Sequence, residues 1–421
     1  MEDNENYEPI EIEKKKGFKL SEVIIIVIIT CSISIFAGIS YGKVKYSDTV
    51  NINDLSSSKE DNSELNNFIK QYKYIISNYY DSSKIDEKEL LKTALQSILE
   101  QLGIEDVYST YMDEEAYNQL NTNLNGSYDG IGIKTYKESE DDYISIYSII
   151  ENSPASKLDI EEGDIILSID GKDTRKMSLS DLSNYVLKSE DKLFVLKLKR
   201  GEKEFSVKIE KGKIELESVK SKVIEKDNKK IGYISMSIFA SNSYTQFKKN
   251  LNELEKQNID SLIIDLRNNT GGHLTEVSKI LNLFLARRRV VYQLQKNNDK
   301  VKYYSKGTED KKYPIIFIAN EATASASELF IISLKENLDA KIVGMKTYGK
   351  GTVQELVSLT NGDQYKITTK KWLSPKGNWI NDTKGIAPDV EVQLDAKYIE
   401  NPTDDNDNQL QEAIKEALKN K

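Results

Sequence analysis

The sequence is poor in the residues that most often carry enzymatic chemistry. Its 421 residues include one cysteine, Cys31, and one histidine, His273, with six prolines and two tryptophans. One cysteine cannot form an internal disulfide, and one cysteine with one histidine cannot complete a structural zinc site. A thiol–imidazole pair would need Cys31, which lies in an apolar run, and a serine–histidine triad would need His273. These counts exclude most metalloenzymes and cysteine enzymes.

The chain also lacks an excess of positive charge. Lysine and arginine number 59 against 68 aspartates and glutamates, which gives a net charge of −9. A general nucleic-acid binder needs a basic surface to displace counterions, so we expect no nucleic-acid partner. With 38% apolar residues the chain can bury sizeable cores. Its length indicates two or three domains at about 150 residues each.

One long apolar run lies near the N-terminus, at residues 20–41. Its only charge is Glu22, and residues 23–40 are uncharged, which is near the minimum length of a membrane-spanning helix. Lysines at positions 14, 15, 16 and 19 precede the run and place the N-terminus in the cytoplasm. The alternative is a cleaved signal peptide, but residues 35–37 form a poor cleavage site. We therefore predict an uncleaved single-pass anchor in the cell membrane, with the bulk of the chain extracytoplasmic.

The rest of the chain changes its pattern several times. Apolar residues at helical spacing predict a pair of helices from about 64 to 103. Short alternating segments between glycine turns predict a small β-rich domain up to about residue 212. From residue 231 strands and helices alternate, which predicts a mostly parallel sheet of βαβ units with helices on its faces. The chain ends in a predicted amphipathic helix.

These changes predict seven segments: a cytoplasmic N-terminal segment (1–19), a transmembrane anchor (20–41), a linker (42–63), an N-terminal helical region (64–114), the β-rich domain (115–212), the α/β core (213–400) and a C-terminal helix (401–421). The helical region and the C-terminal helix are both candidates for pairing with a second copy, so a homo-oligomer is left open.

Three segments of the α/β core are candidates for chemistry. The first follows a buried strand that ends near residue 266 and contains Gly271 and Gly272. Glycines there let backbone N–H groups approach a ligand or a reacting oxygen closely. By itself the segment is equally consistent with an ordinary strand-to-helix turn.

The second candidate is Ser325, between a predicted strand and a helix. Glu328 follows three residues later, so the pair reads as a capping box with a purely structural role. The same position suits a nucleophile, because a helix N-terminus presents free N–H groups to an oxyanion. Its small neighbours Ala324 and Ala326 leave room for a substrate.

The third candidate is Lys350, which lies between two glycines. Residues 344–352 nearly match a phosphate-binding loop, but Gly351 stands where that motif needs Ser or Thr, and a strand follows instead of a helix. A nucleotide-binding protein is therefore kept only as an alternative. Lys350 is either a solvated loop lysine or, desolvated in a cleft, a general base at neutral pH.

In this order and spacing the three segments resemble the C-terminal processing peptidases, the tail-specific serine proteases of family S41. That family has R-x-N-P-G-G at a strand end, T-A-S-A-S-E around the serine and G-x-x-T-F/Y-G-K-G-x-V-Q around the lysine. The matching residues here are 267–272, 323–328 and 344–354, and the resemblance extends over about residues 64–421. Thr270 departs from the pattern, because it replaces the usual proline before the glycines.

The β-rich domain resembles a PDZ domain. Gly130, Ile131, Gly132 and Ile133 correspond to its carboxylate-binding loop, and residues 153–155 and 163–166 fit its later turn and strand. Such a loop points backbone N–H groups at a C-terminal carboxylate while the bound peptide adds a strand to the sheet.

The resemblance assigns roles to particular residues. It implies that Ser325 is the nucleophile, that Lys350 is the general base and that Gln354 orients Lys350. His273 follows Gly272 at a position that the family leaves variable. We interpret it as a spectator at the rim of the cleft, with a role as base as the alternative.

The resemblance also implies an oxyanion hole and an acyl-enzyme. The hole would use the backbone N–H of Ala326 and of a glycine in the pair Gly271 and Gly272. No metal or organic cofactor is implied.

The prediction is a membrane-anchored serine endopeptidase. It would have an α/β protease core with a mostly parallel sheet, an inserted PDZ domain, an N-terminal helical region and one transmembrane helix. It would act outside the cytoplasm on protein or peptide substrates with apolar C-terminal tails. The alternative is a PDZ scaffold or binding protein whose protease core is catalytically silent or gated.

Overall fold

A computed structural model describes residues 63–102, 106–359 and 363–419. Within these ranges no helix is long and apolar enough to cross a membrane. The predicted cytoplasmic segment (1–19) and anchor (20–41) lie outside the described residues, as does all but the last residue of the predicted linker (42–63). The predicted domain boundaries stay predictions.

Two helices open the described part of the chain, α1 (Ser63–Asn78) and α2 (Glu87–Leu102). They confirm the helical pair that the apolar spacing predicts. The Asp86 carboxylate caps α2 by accepting the backbone N–H groups of Lys88 and Glu89. Within the described chain no residue of α1 is buried, and the side chains of Phe68 and Ile98 are more than half exposed. Within residues 63–102, 106–359 and 363–419, nothing therefore covers much of the apolar surface of these two helices.

A short strand and a third helix follow, β1 (Thr110–Met112) and α3 (Glu114–Asn125). The helix begins at Asp113, whose side chain accepts the N–H of Ala116, and ends at Gly126, with a φ of 65°. The prediction that the β-rich pattern begins at residue 115 is therefore wrong for this helix. Its asparagines weaken the helical signal, and the two caps define the ends of the helix.

The β-rich domain forms around a core of its own. Its elements are β2 (Ser127–Gly130), β3 (Ile133–Tyr136), β4 (Ile144–Ile149), β5 (Ile165–Ile169), β6 (Lys172–Asp173), α4 (Leu179–Lys188), β7 (Leu193–Arg200), β8 (Lys203–Glu210) and β9 (Gly212–Glu215). One sheet has the order β3–β4–β5–β7–β8 with β6 paired to β5, while β2 and β9 form a separate two-stranded ribbon. The alternating residues Phe194, Leu196 and Leu198 of β7 are fully buried in this core.

The remaining elements belong to the α/β core. They are β10 (Val219–Lys226), β11 (Lys229–Met236), α5 (Ser243–Glu255), β12 (Ser261–Asp265), α6 (Leu274–Leu281), β13 (Val290–Lys296), β14 (Asp299–Tyr304), β15 (Ile315–Ala319), α7 (Ala326–Leu338), β16 (Lys341–Gly344), β17 (Thr352–Ser358), β18 (Gln364–Leu373), β19 (Val390–Glu391), α8 (Ala396–Glu400) and α9 (Asn408–Lys419).

One six-stranded sheet carries the βαβ units, in the order β10–β11–β12–β15–β16–β19. Its pairings are parallel except for the hairpin of β10 and β11. One face packs in the cluster that contains Phe247 of α5 and Phe330 of α7, and the other packs against Leu410 and Ile414 of α9. Because both faces are covered, β12 is buried at every position, and its three central residues, 262–264, are all apolar.

A second sheet of five strands is antiparallel throughout. It has the order β1–β18–β13–β14, with β17 paired to β18. The prediction of a mostly parallel sheet is therefore correct for the first sheet and wrong for the whole core, whose sheets are mixed. The hairpins β13–β14 and β17–β18 have no crossover helix, so the alternation of strands and helices along the chain does not reveal them.

Candidate active site

Ser325 lies in the turn between β15 and α7, directly before the first residue of the helix. Its backbone has a φ of 57° and a ψ of −115°, a region that is strained for a residue with a side chain. The side chain is fully buried, and its Oγ has no hydrogen-bond partner among the described residues. The Ser325 N–H donates to the Glu328 carboxylate at 2.8 Å, which is one half of a capping box. The cap therefore uses the backbone of Ser325 and leaves its hydroxyl available.

The glycine turn after β12 packs directly against Ser325. A Cβ on Gly271 would lie 2.8 Å from both the Ala324 carbonyl oxygen and the Ala326 nitrogen. Both glycines have positive φ angles, 105° for Gly271 and 136° for Gly272. Only glycine permits this backbone conformation and this approach. The turn thus brings its backbone N–H groups beside the N-terminus of α7.

The two glycines differ in what their N–H groups bind. The Gly271 N–H donates to Asn269 Oδ1 at 2.9 Å. Within the described part of the chain, the N–H groups of Gly272 and Ala326 have no acceptor. Gly272 and Ala326 are therefore the better candidates for the two oxyanion donors, with Gly271 shaping the turn.

Asn269, directly before the Thr270 that replaces the family's proline, holds the glycine turn in place. It is fully buried, and its Nδ2 donates to the Met236 carbonyl at 2.9 Å. Its own carbonyl accepts the Ala324 N–H at 3.1 Å and the Ser327 hydroxyl at 2.9 Å. The motif at residues 267–272 includes Asn269, and the structure shows what this residue does: it joins the glycine turn to the serine turn.

Lys350 is buried in the loop between β16 and β17, with 1% of its surface exposed. Its carbonyl accepts the indole N–H of Trp372 at 3.0 Å. Its Nζ lies 4.2 Å from the ring centroid of Tyr108, within the range of a cation–π contact. Burial lowers the pKa of Lys350 well below its ordinary value, and the positive charge of Lys366 adds to that effect. The interpretation of Lys350 as a solvated loop lysine is therefore wrong.

Glu328 connects the serine turn to the lysine loop. One carboxylate oxygen accepts the N–H groups of Ser325 and Lys350, both at 2.8 Å. The other accepts the Gly349 N–H at 2.7 Å and the Thr347 hydroxyl at 2.5 Å. Burial raises the pKa of Glu328, while these four donors oppose that rise. Sequence reasoning assigned Glu328 only to the cap and missed this second contact.

Gln354 lies on β17 and is fully buried. Its Nε2 donates to Thr352 Oγ1 at 2.8 Å and to Thr368 Oγ1 at 3.0 Å. Its Oε1 has no hydrogen-bond partner among the described residues, so no hydrogen bond joins it to Lys350 in this state. The amide is held with an unused acceptor, which is the group that an orienting role toward a lysine amine needs.

His273 does not lie at an exposed rim. It is 7% exposed, and its Nε2 lies 3.0 Å from the Leu124 carbonyl oxygen at the end of α3. Burial lowers its pKa. Since the Ser325 hydroxyl has no partner within the described ranges, His273 is not hydrogen-bonded to it.

The predicted carboxylate-binding loop borders a groove of about 120 Å³ between β3 and α4. The lining includes Ile131, Ile133, Leu182 and Val186, which make the groove largely apolar. The Ile131 carbonyl accepts the Ala155 N–H, and the Gly132 carbonyl accepts the Ile150 N–H, both at 2.9 Å. The carbonyls of Ile131 and Gly132 are therefore already hydrogen-bonded within the domain.

Comparisons with known proteins match both parts of this arrangement. A model of peptidase family S41 matches residues 230–392, a PDZ model matches residues 145–200, and a model of the N-terminal domain of the activating protease CtpB matches residues 28–116. The carboxy-terminal processing protease CtpB of Bacillus subtilis (strain 168) is 34% identical over 392 residues, which cover 92% of this chain and 79% of that protein. The chain belongs to the carboxy-terminal processing proteases of peptidase family S41.

As an S41 protease, the chain is a serine-type peptidase with a PDZ domain, and its substrates are proteins or peptides. A probable CtpA-like serine protease of Staphylococcus aureus (strain COL) is 34% identical over 337 residues, 79% of this chain and 66% of that protein. A solved structure of the photosystem II D1 C-terminal processing protease covers 77% of this chain and 92% of its own, with 23% identity and a TM-score of 0.44.

Proposed function

We propose that this S41 protease is a membrane-anchored endopeptidase that hydrolyses peptide bonds with a Ser325–Lys350 dyad. Its PDZ domain would capture the apolar C-terminal tails of protein substrates. The observation that carries the proposal is that the backbone N–H groups of Ser325 and of the buried Lys350 both donate to one carboxylate oxygen of Glu328, which holds the two turns together beside the glycine turn.

The environment of Lys350 supports its role as the general base. Desolvation disfavours its ammonium form, so the neutral amine is populated at a lower pH than for an exposed lysine. The Ser325 hydroxyl has no hydrogen-bond partner among the described residues, so it is available to give its proton to the Lys350 amine. Gln354 Oε1, also without a partner there, would accept an N–H of that amine.

The chemical step follows from these positions. Lys350 takes the hydroxyl proton as Ser325 Oγ forms a bond to the carbonyl carbon of the substrate, and the carbonyl electron pair moves to oxygen. The N–H groups of Gly272 and Ala326 stabilise that oxyanion. The peptide C–N bond breaks as the leaving amine takes the proton from Lys350. Lys350 then takes a proton from a water molecule, whose oxygen attacks the acyl carbon, and returns that proton to Ser325 Oγ as the acyl–serine bond breaks.

The groove supports capture of an apolar tail. A peptide strand would pair with β3, seat its last side chain among Ile131, Leu182 and Val186, and direct its carboxylate at the N–H groups of residues 130–133. The uncharged run at residues 20–41, preceded by lysines, supports a cytoplasmic N-terminus and an extracytoplasmic catalytic part.

The first experiment is degradation of an unstructured protein with an apolar C-terminus by the full chain. We expect Ser325→Ala and Lys350→Ala to abolish cleavage, and Lys346→Ala to retain it, because Lys346 is an exposed lysine of the same loop. Labelling of Ser325 by a fluorophosphonate should show the same dependence on Lys350. Cleavage that survives Lys350→Ala but is lost in His273→Ala would contradict the dyad. A folded parent that cleaves none of a panel of tails would favour the silent or gated scaffold.

The proposed orientation of the chain across the membrane has a separate test. Protease added to intact cells should remove a C-terminal tag and spare an N-terminal one. Protection of both tags would contradict the extracytoplasmic placement.

A further inference from the structure

Tyr108 is an aromatic residue beside the site that the proposed chemistry does not use. It lies between α2 and β1, and the centroid of its ring is 4.2 Å from Lys350 Nζ. Burial raises the pKa of the Tyr108 phenol, and a hydrogen bond with the side chain of Tyr348 raises it further. The phenol therefore stays neutral at neutral pH, and Tyr108 offers the amine the face of a ring and no charge.

The segment that carries Tyr108 is fixed to β18. Ser109, the next residue, is buried, and its Oγ accepts the Thr368 N–H at 3.0 Å. Thr368 Oγ1 in turn accepts Gln354 Nε2 at 3.0 Å. The Asp106 carboxylate accepts the Tyr108 N–H at 3.2 Å and also the Ser109 hydroxyl. The strand β18 therefore holds the segment that carries the ring as well as the Gln354 amide.

The groups around the Lys350 amine act on its pKa in both directions. Burial lowers this pKa most, and the positive charge of Lys366 on β18 lowers it further. The carboxylates of Asp106, before β1, and of Glu328, on α7, raise it. Since the pKa of Lys350 still falls well below its ordinary value, exclusion of water from the amine outweighs the two carboxylates.

The ring of Tyr108 has two opposing effects on the amine. The face of an aromatic ring attracts an ammonium, which favours the charged form. The ring also occupies space beside the amine, and water in that space would solvate an ammonium better than the ring does. The space borders the Lys350 amine and the Tyr348 phenol, so a void there would be polar enough to hold water. The exclusion of water is therefore the larger of the two effects.

We propose that Tyr108 is a positioning residue for the base, whose ring shields the Lys350 amine from water and so favours the neutral form that accepts a proton. The inference rests on the proposed function, since it presumes that Lys350 deprotonates Ser325. Tyr108 lies outside residues 230–392, which the S41 model matches. The environment of the base would thus be completed by a segment that precedes the PDZ domain in the chain.

The test is the pH dependence of fluorophosphonate labelling of Ser325 in the full chain. Tyr108→Ala leaves space for water, so the pKa of Lys350 should rise and the rising part of the profile should move to higher pH by about 1 unit. At a fixed pH below that pKa, labelling should then fall about tenfold. At a pH well above it, labelling should return close to the parent's rate. Tyr108→Phe keeps the ring and should keep the parent's profile.

Two further variants separate this effect from a loss of stability. Val107→Ala changes a side chain of the same segment that is 74% exposed, and it should leave the profile unchanged. If Tyr108→Ala does not fold, Tyr108→Gln takes its place. The glutamine amide fills much of the same space and solvates an ammonium as water would, so the profile should move in the same direction. Thermal unfolding shows which variants are folded at the temperature of the assay.

The outcomes separate the inference from the proposed function. A profile that stays in place or moves to lower pH in Tyr108→Ala would overturn the inference, and so would an equal loss of labelling at every pH. A shift in Tyr108→Phe as large as that in Tyr108→Ala would overturn it as well. Labelling that persists in Lys350→Ala would instead overturn the dyad itself.

Discussion

At the scale of single residues, Ser325 and Lys350 acquire reactivity from where their polar atoms lie. The Ser325 turn is strained and held by its backbone N–H, so its hydroxyl is left out of the cap. The Lys350 amine is buried with Lys366 nearby, and both conditions disfavour its charged form. The sequence predicted both residues through a family resemblance. It gave no indication of Lys366, which lies on β18, outside the three motifs.

Lys366→Met should raise the pKa of Lys350, because it removes a neighbouring positive charge. The labelling rate of Ser325 rises with pH as Lys350 loses its proton. The rising limb should therefore move toward higher pH, by about 1 unit for a nearby charge of this kind. The measurement is the pH dependence of fluorophosphonate labelling. Lys371→Met, an exposed lysine of the same strand, is the matched control and should leave the limb in place. If the rising part of the pH profile moved to lower pH in Lys366→Met, Lys366 would not be lowering the pKa of Lys350.

Glu328→Gln should impair both labelling and stability. The carboxylate accepts four donors, and a glutamine amide offers only one oxygen to them. Each buried donor left unpaired costs about 1–3 kcal/mol. We expect labelling of Ser325 to fall by more than tenfold and the melting temperature to drop. The matched control is Glu321→Gln, an exposed carboxylate in the same loop. Parent-like labelling in Glu328→Gln would show that Glu328 does not position the two loops.

At the scale of elements, caps and burial decide where helices and strands form. The helical pair predicted at about residues 64–103 occurs as α1 and α2, because apolar residues at helical spacing form one face of each helix. The helix α3 was missed because its polar face is rich in asparagine and its ends are set by Asp113 and Gly126. The hairpin β17–β18 was missed because β18 also pairs with β1 and β13, which lie far from it in the sequence. Local sequence patterns do not reveal such long-range pairings.

The C-terminal helix α9 depends on a buried ion pair at its start. Arg267 Nη2 lies 2.7 Å from an Asp407 carboxylate oxygen, with at most 10% of either side chain exposed. Asp407 also accepts the N–H of Leu410 in the first turn of α9. Arg267 contacts Asp265 at the end of β12 as well, so this cluster attaches α9 to the sheet edge that carries the glycine turn.

Asp407→Ala should destabilise the protein strongly. It leaves Arg267 with Asp265 as its remaining carboxylate partner and removes the acceptor of the buried Leu410 N–H, and each buried donor left unpaired costs about 1–3 kcal/mol. The check is thermal and urea unfolding of the full chain. Asp405→Ala, an exposed aspartate of the same acidic run, should change the free energy of unfolding by less than about 0.5 kcal/mol. Equal stability of the two variants would contradict a structural role for the pair.

At the scale of the whole molecule, the peptide groove and the reactive serine belong to separate cores. Leu182 and Val186 pack in the PDZ core, whereas Ala326 packs in the core of the six-stranded sheet. Separate cores allow tail binding to be altered without altering Ser325 directly. The connection between them runs through the β2–β9 ribbon and the end of α3.

Val186→Thr should weaken tail binding and spare the chemistry of the serine. The substitution keeps the shape of the side chain but buries a hydroxyl in an apolar groove, which costs about 1–2 kcal/mol, or about five- to thirtyfold in affinity. We expect KM for a tailed protein to rise by that factor, with fluorophosphonate labelling in the absence of peptide unchanged. Val195→Thr, a partly exposed valine of the same domain, is the control. Unchanged KM would show that the tail does not bind in this groove.

The sequence by itself determined the family, the identity of Ser325, Lys350 and Gln354 as candidates, and most of the helices. These follow from local patterns and from motifs in which the chemistry needs particular residue types. The tertiary structure decided that Glu328 joins the two loops, that Asn269 takes the N–H of Gly271, and that His273 is buried against Leu124. Such contacts join residues far apart in the chain. Their energies come from burial and from pairing of polar groups, which exist only once the chain has folded.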